Sequence, residues 1–287
     1  FKILKTKFYM LDFIKNKSPL IICDIGASPI DKTDFIDELY NETYSQIIGF
    51  EPNIEEYNKL KTADPNKKFY NYALGDGEDK ILNICKAPGM SSFLKPNLDY
   101  LKKFHGFEEW AKITSQEKVK TKKLNEIDEK IDFIKIDVQG YEYEILINGL
   151  EKLKNVKVIQ IETSPFPLYH GEKFSSEILR LIENSGFMLH MFNNINTRVF
   201  KPMILGNNKM MGLNHLFQLD CVMVKNFEEI NKLSLESMTK LILIMFYSFK
   251  SYDFVDYLIS LMDEKYGTKC LEKYRLLLKN LKMIKKY

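Results

Sequence analysis

From Pro19 to about Asn226 one pattern recurs: a short apolar run, a closing acid or glycine, then a polar stretch with helical spacing. The runs Leu20 to Ile25, Gln46 to Phe50, Ile131 to Val138 and Val156 to Glu162 have the length and near-continuous hydrophobicity of strands buried on both faces. Lys68 to Ala73, Lys80 to Cys85, Phe187 to Phe192 and Leu216 to Val224 extend the set, and Val119 to Lys122 reads as a further short strand. Helical spacing fills Lys32 to Tyr40, Ile54 to Leu60 and Tyr141 to Leu150. Ser175 as N-cap and Gly186 as C′ bracket another helix. Strands alternating with helices predict an α/β fold with a largely parallel sheet and helices on both faces. Ligands bind such sheets at the carboxyl ends of the strands. That gives the acids at those ends, Asp24, Glu51, Asp137 and Glu162, a shared edge and a chemical interest.

Two segments depart from the pattern. Pro88 to about Lys118 has poor periodicity and many aromatics, and reads as an insertion or lid with helical pieces around Tyr100 to Ala111. Beyond Asn226, Leu235 to Phe249, Tyr252 to Tyr266 and Lys269 to Lys285 read as helices, with Ser251 and Thr268 as N-caps and Gly267 as a stop. The expected organisation is an N-terminal helix over 1–18, a sheet domain over 19–226 and a helical appendage over 227–287. That appendage either packs on the domain or joins two copies of the chain.

Composition narrows the function classes. The net charge of +3 over 287 residues lacks the basic footprint of a nucleic-acid binder. Lysines from Lys102 to Lys123 interleave with Glu108, Glu109 and Glu117, as on a solvated face. Cys23, Cys85, Cys221 and Cys270 show no Cys-x-x-Cys spacing and read as small buried hydrophobes of a reducing compartment. The longest apolar run near the C-terminus, Leu241 to Phe249, falls short of the ~20 residues of a membrane span. The segment Phe1 to Lys17 lacks a signal-peptide cleavage pattern. A cytoplasmic chain is the expectation.

The chemistry concentrates at the strand ends. Gly26 permits a tight turn and a close backbone approach after the first strand, although an ordinary turn glycine fits as well. Glu51 ends the second strand, where a carboxylate can accept hydrogen bonds from ribose hydroxyls; it could instead cap the helix after Pro52. A dinucleotide site needs Gly-x-Gly-x-x-Gly, but Ser28 and Asp31 stand at the second and third glycine positions, and Asp31 would repel a pyrophosphate. A cofactor without phosphates, carrying an ammonium and a sulfonium, tolerates those acids. That favours S-adenosylmethionine over NAD.

Ile22-Cys23-Asp24-Ile25-Gly26-Ala27-Ser28, Gly49-Phe50-Glu51-Pro52-Asn53 and Ile134-Lys135-Ile136-Asp137-Val138-Gln139-Gly140-Tyr141-Glu142 occur in that order. Together they resemble the FkbM family of class I methyltransferases. The last run is the most specific: the family pattern is close to Lys-Ile-Asp-Val-Glu-Gly-x-Glu, and only Gln139 departs from it. Asn71 to Asp76 and Val158 to Glu162 also look like family segments, so the resemblance covers roughly residues 19 to 190. It implies a Rossmann-like class I methyltransferase sheet of seven strands, the last antiparallel and matched by Phe217 to Val224. It implies S-adenosylmethionine as methyl donor and a hydroxyl oxygen, often on a sugar or natural product, as acceptor. Carried over, Asp24, Gly26, Ala27 and Ser28 line the methionine end. Glu51 with Pro52 holds the ribose, Ala73, Leu74 and Asp76 face the adenine, and Asp137 lies beside the reacting methyl group. Many members have Asn-x-Gly after the Gly-Ala pair, where this chain has Ser28-Pro29-Ile30, so the path of that loop differs.

Methyl transfer to a hydroxyl needs an oriented acceptor and a route for its proton. Candidate bases are Asp137, Glu162 and His170. His170 has the most suitable ordinary pKa, ~6.5, and follows a strand end in Pro165 to Gly171, where an exposed loop histidine fits equally well. Asp137 with Glu162 offers two ligands to a hard cation that wants several, so no metal is expected. Ser91, Ser92 and Phe93 are placed to cover a cofactor, and the aromatics of Phe104 to Trp110 to wall an acceptor site. Ordinary packing of a long insertion accounts for both equally. The rival functions are a non-catalytic nucleoside-binding or scaffold protein on the same fold, and an NAD-dependent oxidoreductase. A small-molecule or glycan substrate is expected, with no nucleic acid and no membrane span.

Overall fold

The computed structural model describes residues 13, 14, 16–26, 34–65 and 67–281. Most of the expected N-terminal helix over 1–18, the expected continuation of the last helix to Lys285, and Ala27, Ser28, Pro29 and Asp31 lie outside the described residues; the described part of 1–18, residues 13, 14 and 16–18, is turn and irregular chain, not helix. The chain divides into two compact units. One comprises Ile21–Lys32 and Gln46–Glu229; the other comprises Phe1–Leu20, Thr33–Ser45 and Ile230–Tyr287.

The first unit is built on a seven-stranded sheet. Its strands are β1 (Leu20–Ile25), β2 (Ser45–Phe50), β3 (Lys68–Tyr70), β8 (Phe133–Ile136), β9 (Val158–Thr163), β10 (Phe187–Thr197) and β11 (Leu216–Lys225). Their order is β10-β11-β9-β8-β1-β2-β3. β1 pairs parallel with β8, β8 with β9, and β2 with β3. β11 runs antiparallel to both β9 and β10, as the resemblance implies for the last strand. All four residues of β8 are buried, and β1 and β9 each have one half-buried position, Asp24 and Glu162. Uniform burial is why these runs read as continuous hydrophobes. α2 (Ile54–Ala63), α5 (Glu142–Ile147), α6 (Leu150–Leu153) and α7 (Ser175–Asn184) occupy connections between the strands. Leu146, Leu153 and Ile182 from these helices join Ile134, Ile136 and Ile159 of the sheet in one core.

Local differences from the sequence expectation have identifiable causes. The expected strand Lys68 to Ala73 breaks after Tyr70. Asn71 there donates through Nδ2 to the carbonyls of Glu51 (3.1 Å) and Pro52 (3.0 Å), drawing the chain across the end of β2. The following pair β4 (Ala73–Leu74) bonds in parallel to β7 (Thr121–Lys122). The helix expected over Tyr141 to Leu150 splits at Gly149, where a Cβ would lie 2.5 Å from Leu124. Phe174, not Ser175, holds the N-cap position of α7. Cys270, not Thr268, holds that of the last helix, and the Thr268 hydroxyl bonds to Asp263 instead. Lys80 to Cys85 is a strand as expected (β5, Lys80–Cys85), but its antiparallel partner β6 (Ile113–Val119) falls in the segment read as aperiodic, after α3 (Leu98–Leu101) and α4 (Phe107–Trp110). All of β6 except Val119 is exposed, so it carries no alternation to read.

α8 (Phe227–Lys232) follows β11 in the chain, and the second unit holds α1 (Asp34–Glu42), α9 (Leu235–Tyr247), α10 (Tyr252–Tyr266) and α11 (Leu271–Asn280). α1 groups with the C-terminal helices: Phe35 stands against Phe249 at 6.0 Å, and the Ser248 hydroxyl donates to the Phe35 carbonyl at 3.0 Å. Arg275 of α11 forks onto Asp256 of α10 at 2.9 and 2.8 Å. Gly267 ends α10 in the left-handed conformation. Among the described residues no helix is long and apolar enough to cross a membrane.

Candidate active site

The carboxyl ends of β1, β2 and β8 border a cavity of about 320 Å³. Ligand sites for small molecules run roughly 300–1,000 Å³. Gly26, Glu51, Pro52, Ala73, Leu74 and Asp137 all line it, and Leu82, Ile84 and Phe93 supply an apolar wall. Of the other residues singled out in the sequence, Asp24, Asp76, Glu162 and His170 do not line it.

Each lining residue has a local cause. Gly26 follows β1 with φ +81°, and a Cβ there would fall 1.9 Å from the Asp137 carbonyl oxygen. The glycine is therefore needed for the close approach of two strand ends, which also bond through Asp137 N to Ile25 O at 3.1 Å. Beneath this junction the buried Lys135 ammonium lies 3.5 Å from Asp24 and 3.9 Å from Asp137. Asp24 is thus one strand position behind the cavity, in an acid–lysine–acid row. Its Oδ1 is buried and accepts no hydrogen bond among the described residues.

Glu51 follows β2, whose end is held by Glu51 N donating to Tyr70 O at 3.1 Å. The helix after Pro52 is capped by Asn53, which accepts from Glu55 N and Glu56 N at 3.0 and 3.1 Å. Glu51 itself accepts from Asn53 N at 2.7 Å and is otherwise turned to the cavity. Burial pushes its carboxyl up to about 7, against the pull of that one bond. Asp76 instead closes its own turn, accepting from Glu78 N at 3.0 Å and pairing with Lys80 at 2.5 Å.

The segment after Ile136 turns sharply, with Gln139 at φ +58° and Gly140 at φ +95°. Glu142 holds this turn from inside, accepting from Val138 N at 3.0 Å and Gly140 N at 3.1 Å. Its burial lifts the carboxyl to about 7. Gln139 donates to Asp137 at 2.8 Å and to Glu162 at 3.1 Å, and Gln218 donates to the same Glu162 oxygen at 2.8 Å. Burial first, then the charges of Asp137, Asp220 and Glu142, push the Glu162 carboxyl well above its ordinary range. The raised carboxyl of Glu162 thus lies next to Asp137, joined to it through the Gln139 amide. His170 is exposed on its loop, its backbone N donating to Lys95 O at 2.9 Å.

Of the two readings open for Ser91, Ser92 and Phe93, the structure places these residues at the cavity. A 3-10 turn, Pro88–Met90, leads into Ser91, Ser92 and Phe93, which line the cavity. Ser92 is buried, and its hydroxyl donates to the Gln139 carbonyl at 2.7 Å. Phe93 meets Tyr141 edge to face at 5.2 Å. The aromatics Phe104 and Phe107 form a separate cluster with Leu168 and Phe217, away from the cavity lining. Gln139, Tyr141, Leu82 and Ile84 were not foreseen as lining residues. Of these only Gln139 carried a signal, as the one departure within the most specific motif.

Residues 24–189 match the Methyltransferase FkbM domain, more than half of the chain. The chain belongs to the FkbM methyltransferase family. All the residues that line the cavity fall inside the matched region. No curated protein sequence matches this FkbM methyltransferase. Among solved structures, a TehB-like SAM-dependent methyltransferase from Corynebacterium glutamicum aligns at 12% identity and TM-score 0.36, covering 76% of this chain and 85% of that one. A 1,6-didemethyltoxoflavin-N1-methyltransferase from Burkholderia thailandensis aligns at 10% identity and TM-score 0.37, covering 73% and 72%. Likeness at these values carries no argument, and membership rests on the domain match. The donor of this class is S-adenosylmethionine, and the cavity suits its chemistry. Glu51 offers a carboxylate acceptor to paired hydroxyls, Leu82 and Ile84 offer apolar contact to a base, and Asp137 offers negative charge to a cationic centre.

Proposed function

We propose that this FkbM methyltransferase transfers the methyl group of S-adenosylmethionine to a hydroxyl oxygen of a sugar, glycan or other small metabolite. The observation that carries this reading is the Asp137 carboxyl group, at the cavity and held at 2.8 Å by Gln139, beside a Glu162 whose carboxyl burial pushes well above its ordinary range. A carboxylate fixed at a cavity edge can take the proton of an incoming hydroxyl, and a neighbouring carboxyl biased toward its neutral form adds little repulsion to that site. When bound, the donor supplies a sulfonium-activated methyl group. The chain supplies orientation and a proton acceptor. Asp137 is the proposed catalytic residue, and Glu162 tunes it. His170 becomes the alternative base if the lid brings the loop Pro165 to Gly171 over the cavity. Glu51 with Pro52 is assigned to the ribose, and Ala73 and Leu74 to the adenine. Gly26 shapes the methionine end, and Asp24 supports it from one strand position behind, paired with Lys135. Asp76 acts there only by shaping the turn after Leu74. Ala27 and Ser28 keep the methionine-end role implied by the family. A cytoplasmic location belongs to this reading.

The test pairs calorimetric titration by S-adenosylhomocysteine with a screen of neutral glycosides, nucleotide sugars and amines using isotopically labelled donor. The expected outcome is saturable binding and an O-methylated product located by NMR. Methyl incorporation on nitrogen or carbon overturns the O-methylation. Binding without turnover of any acceptor favours the scaffold reading, and tighter binding of NAD favours the oxidoreductase.

A further inference from the structure

The family motif carries glutamate where this chain has Gln139, and the surroundings of that position give the change a purpose. The Gln139 carboxamide lies between two carboxyl groups, with Nε2 2.8 Å from Asp137 Oδ1 and 3.1 Å from Glu162 Oε2. Its Oε1 accepts from the Tyr169 hydroxyl at 3.1 Å. Only one orientation of the amide satisfies all three partners, because the carboxylates accept and the hydroxyl donates. The same residue accepts the Ser92 hydroxyl at its backbone carbonyl, and Tyr169 also reaches the Met90 carbonyl at 3.2 Å. One side chain and its backbone thus join β8, β9 and the segment that walls the cavity.

We propose that Gln139 is a positioning residue, whose neutral, two-hydrogen bridge holds Asp137 and Glu162 in register and anchors Ser92 over the donor cavity. The proposal rests on the donor-site reading above. The charged and titratable groups facing the bridge are Asp137 and Lys135 from β8, Glu142 from α5, Glu162 from β9, Asp220 from β11, and Tyr169 with Glu172 from the loop after β9. Apart from Lys135 and Tyr169 they are carboxyls. An ionised carboxylate at 139 would offer no hydrogen and would be repelled by the carboxyl groups around it; a protonated one would restore a single hydrogen bond.

The test compares S-adenosylhomocysteine affinity of the wild type, Gln139→Leu and Gln139→Glu by calorimetry from about pH 6 to about pH 9. Each variant is read as its ratio to wild type, which cancels the titration of Glu51. Gln139→Leu is expected to bind about tenfold more weakly at every pH, the scale of one lost charge-assisted contact. Gln139→Glu is expected within about threefold of wild type at the acid end, falling about tenfold or more behind at the alkaline end. A role in folding alone lowers the melting midpoint and leaves both ratios flat. Where Gln139→Leu fails to fold, Tyr169→Phe serves, with an expected pH-independent loss of about threefold. Flat ratios for Gln139→Glu, or wild-type affinity in Gln139→Leu or its substitute, overturn the proposal while the donor site stands. A folded wild type that binds no S-adenosylhomocysteine overturns the donor site and the proposal together.

Discussion

If Glu51 holds the ribose as proposed, donor affinity should depend on pH. Its carboxyl sits at about 7 in the ligand-free protein because burial disfavours the charged form. Hydroxyl groups that donate to it require that charged form, so binding must release a proton from the fraction of molecules still protonated. With only the ionised form competent, apparent Kd scales as one plus ten to the power of pKa minus pH. At about pH 6 that factor is about 11, and at about pH 8 it is about 1.1. S-adenosylhomocysteine should therefore bind about tenfold more weakly at the lower pH, a difference of about 1.4 kcal/mol. Calorimetry in buffers of different ionisation enthalpy reads both the slope and the proton released. Glu51→Gln should bind weakly and without that slope. The stability effect has the opposite sign. Between 4.5, the ordinary value, and about 7, the folded chain holds a proton that the unfolded chain has lost, so Glu51 lowers stability as pH rises through that window. Glu51→Gln should accordingly raise the ligand-free melting midpoint at about pH 8 while weakening binding. A wild-type affinity constant across this range, or an unchanged slope in Glu51→Gln, refutes the assignment of Glu51 to ligand hydroxyls.

Three further substitutions test the frame around the site. Gly26→Ala forces a Cβ to within 1.9 Å of the Asp137 carbonyl at a positive φ, and should cost at least about 3 kcal/mol in denaturant unfolding. Gly171→Ala, with the same sign of φ and nothing within 4 Å, should cost only about 1 kcal/mol, and equal losses would sink the steric argument. Asp132→Asn breaks a buried pair with Lys157 at 2.7 Å and weakens the bond from Ile21 N at 2.9 Å; about 3–5 kcal/mol should be lost, and a loss under about 1 kcal/mol would mean that water relieves the stranded lysine.

Legibility in the sequence followed burial. β1, β8 and β9 are nearly covered on both faces, so each appears as a continuous apolar run, and the acids that follow them stand out. β6 is exposed at six of its seven positions, and its pairing with β5 left no mark on its composition. The strand ends likewise announced Gly26, Glu51 and Asp137, because backbone geometry at the edge of a parallel sheet sends them to one place. Asp76 and His170 are polar residues in turns, and sequence position does not say whether such a side chain faces a cavity, its own turn or water.

The sequence by itself determined the sheet, the family and six residues of the cavity edge, Gly26, Glu51, Pro52, Ala73, Leu74 and Asp137, since each depends on local burial or on a contiguous motif. Tertiary structure alone decided the rest. Gly26 is required by the Asp137 carbonyl, 111 positions away in the chain. Lys135 lies between Asp24 and Asp137, burial together with Asp137, Asp220 and Glu142 raises the Glu162 carboxyl, and Gln139 bridges two strand ends and the segment at Ser92. These are long-range relations among charges and hydrogen bonds. Their energies depend on distance and burial, which exist only once the strands are side by side.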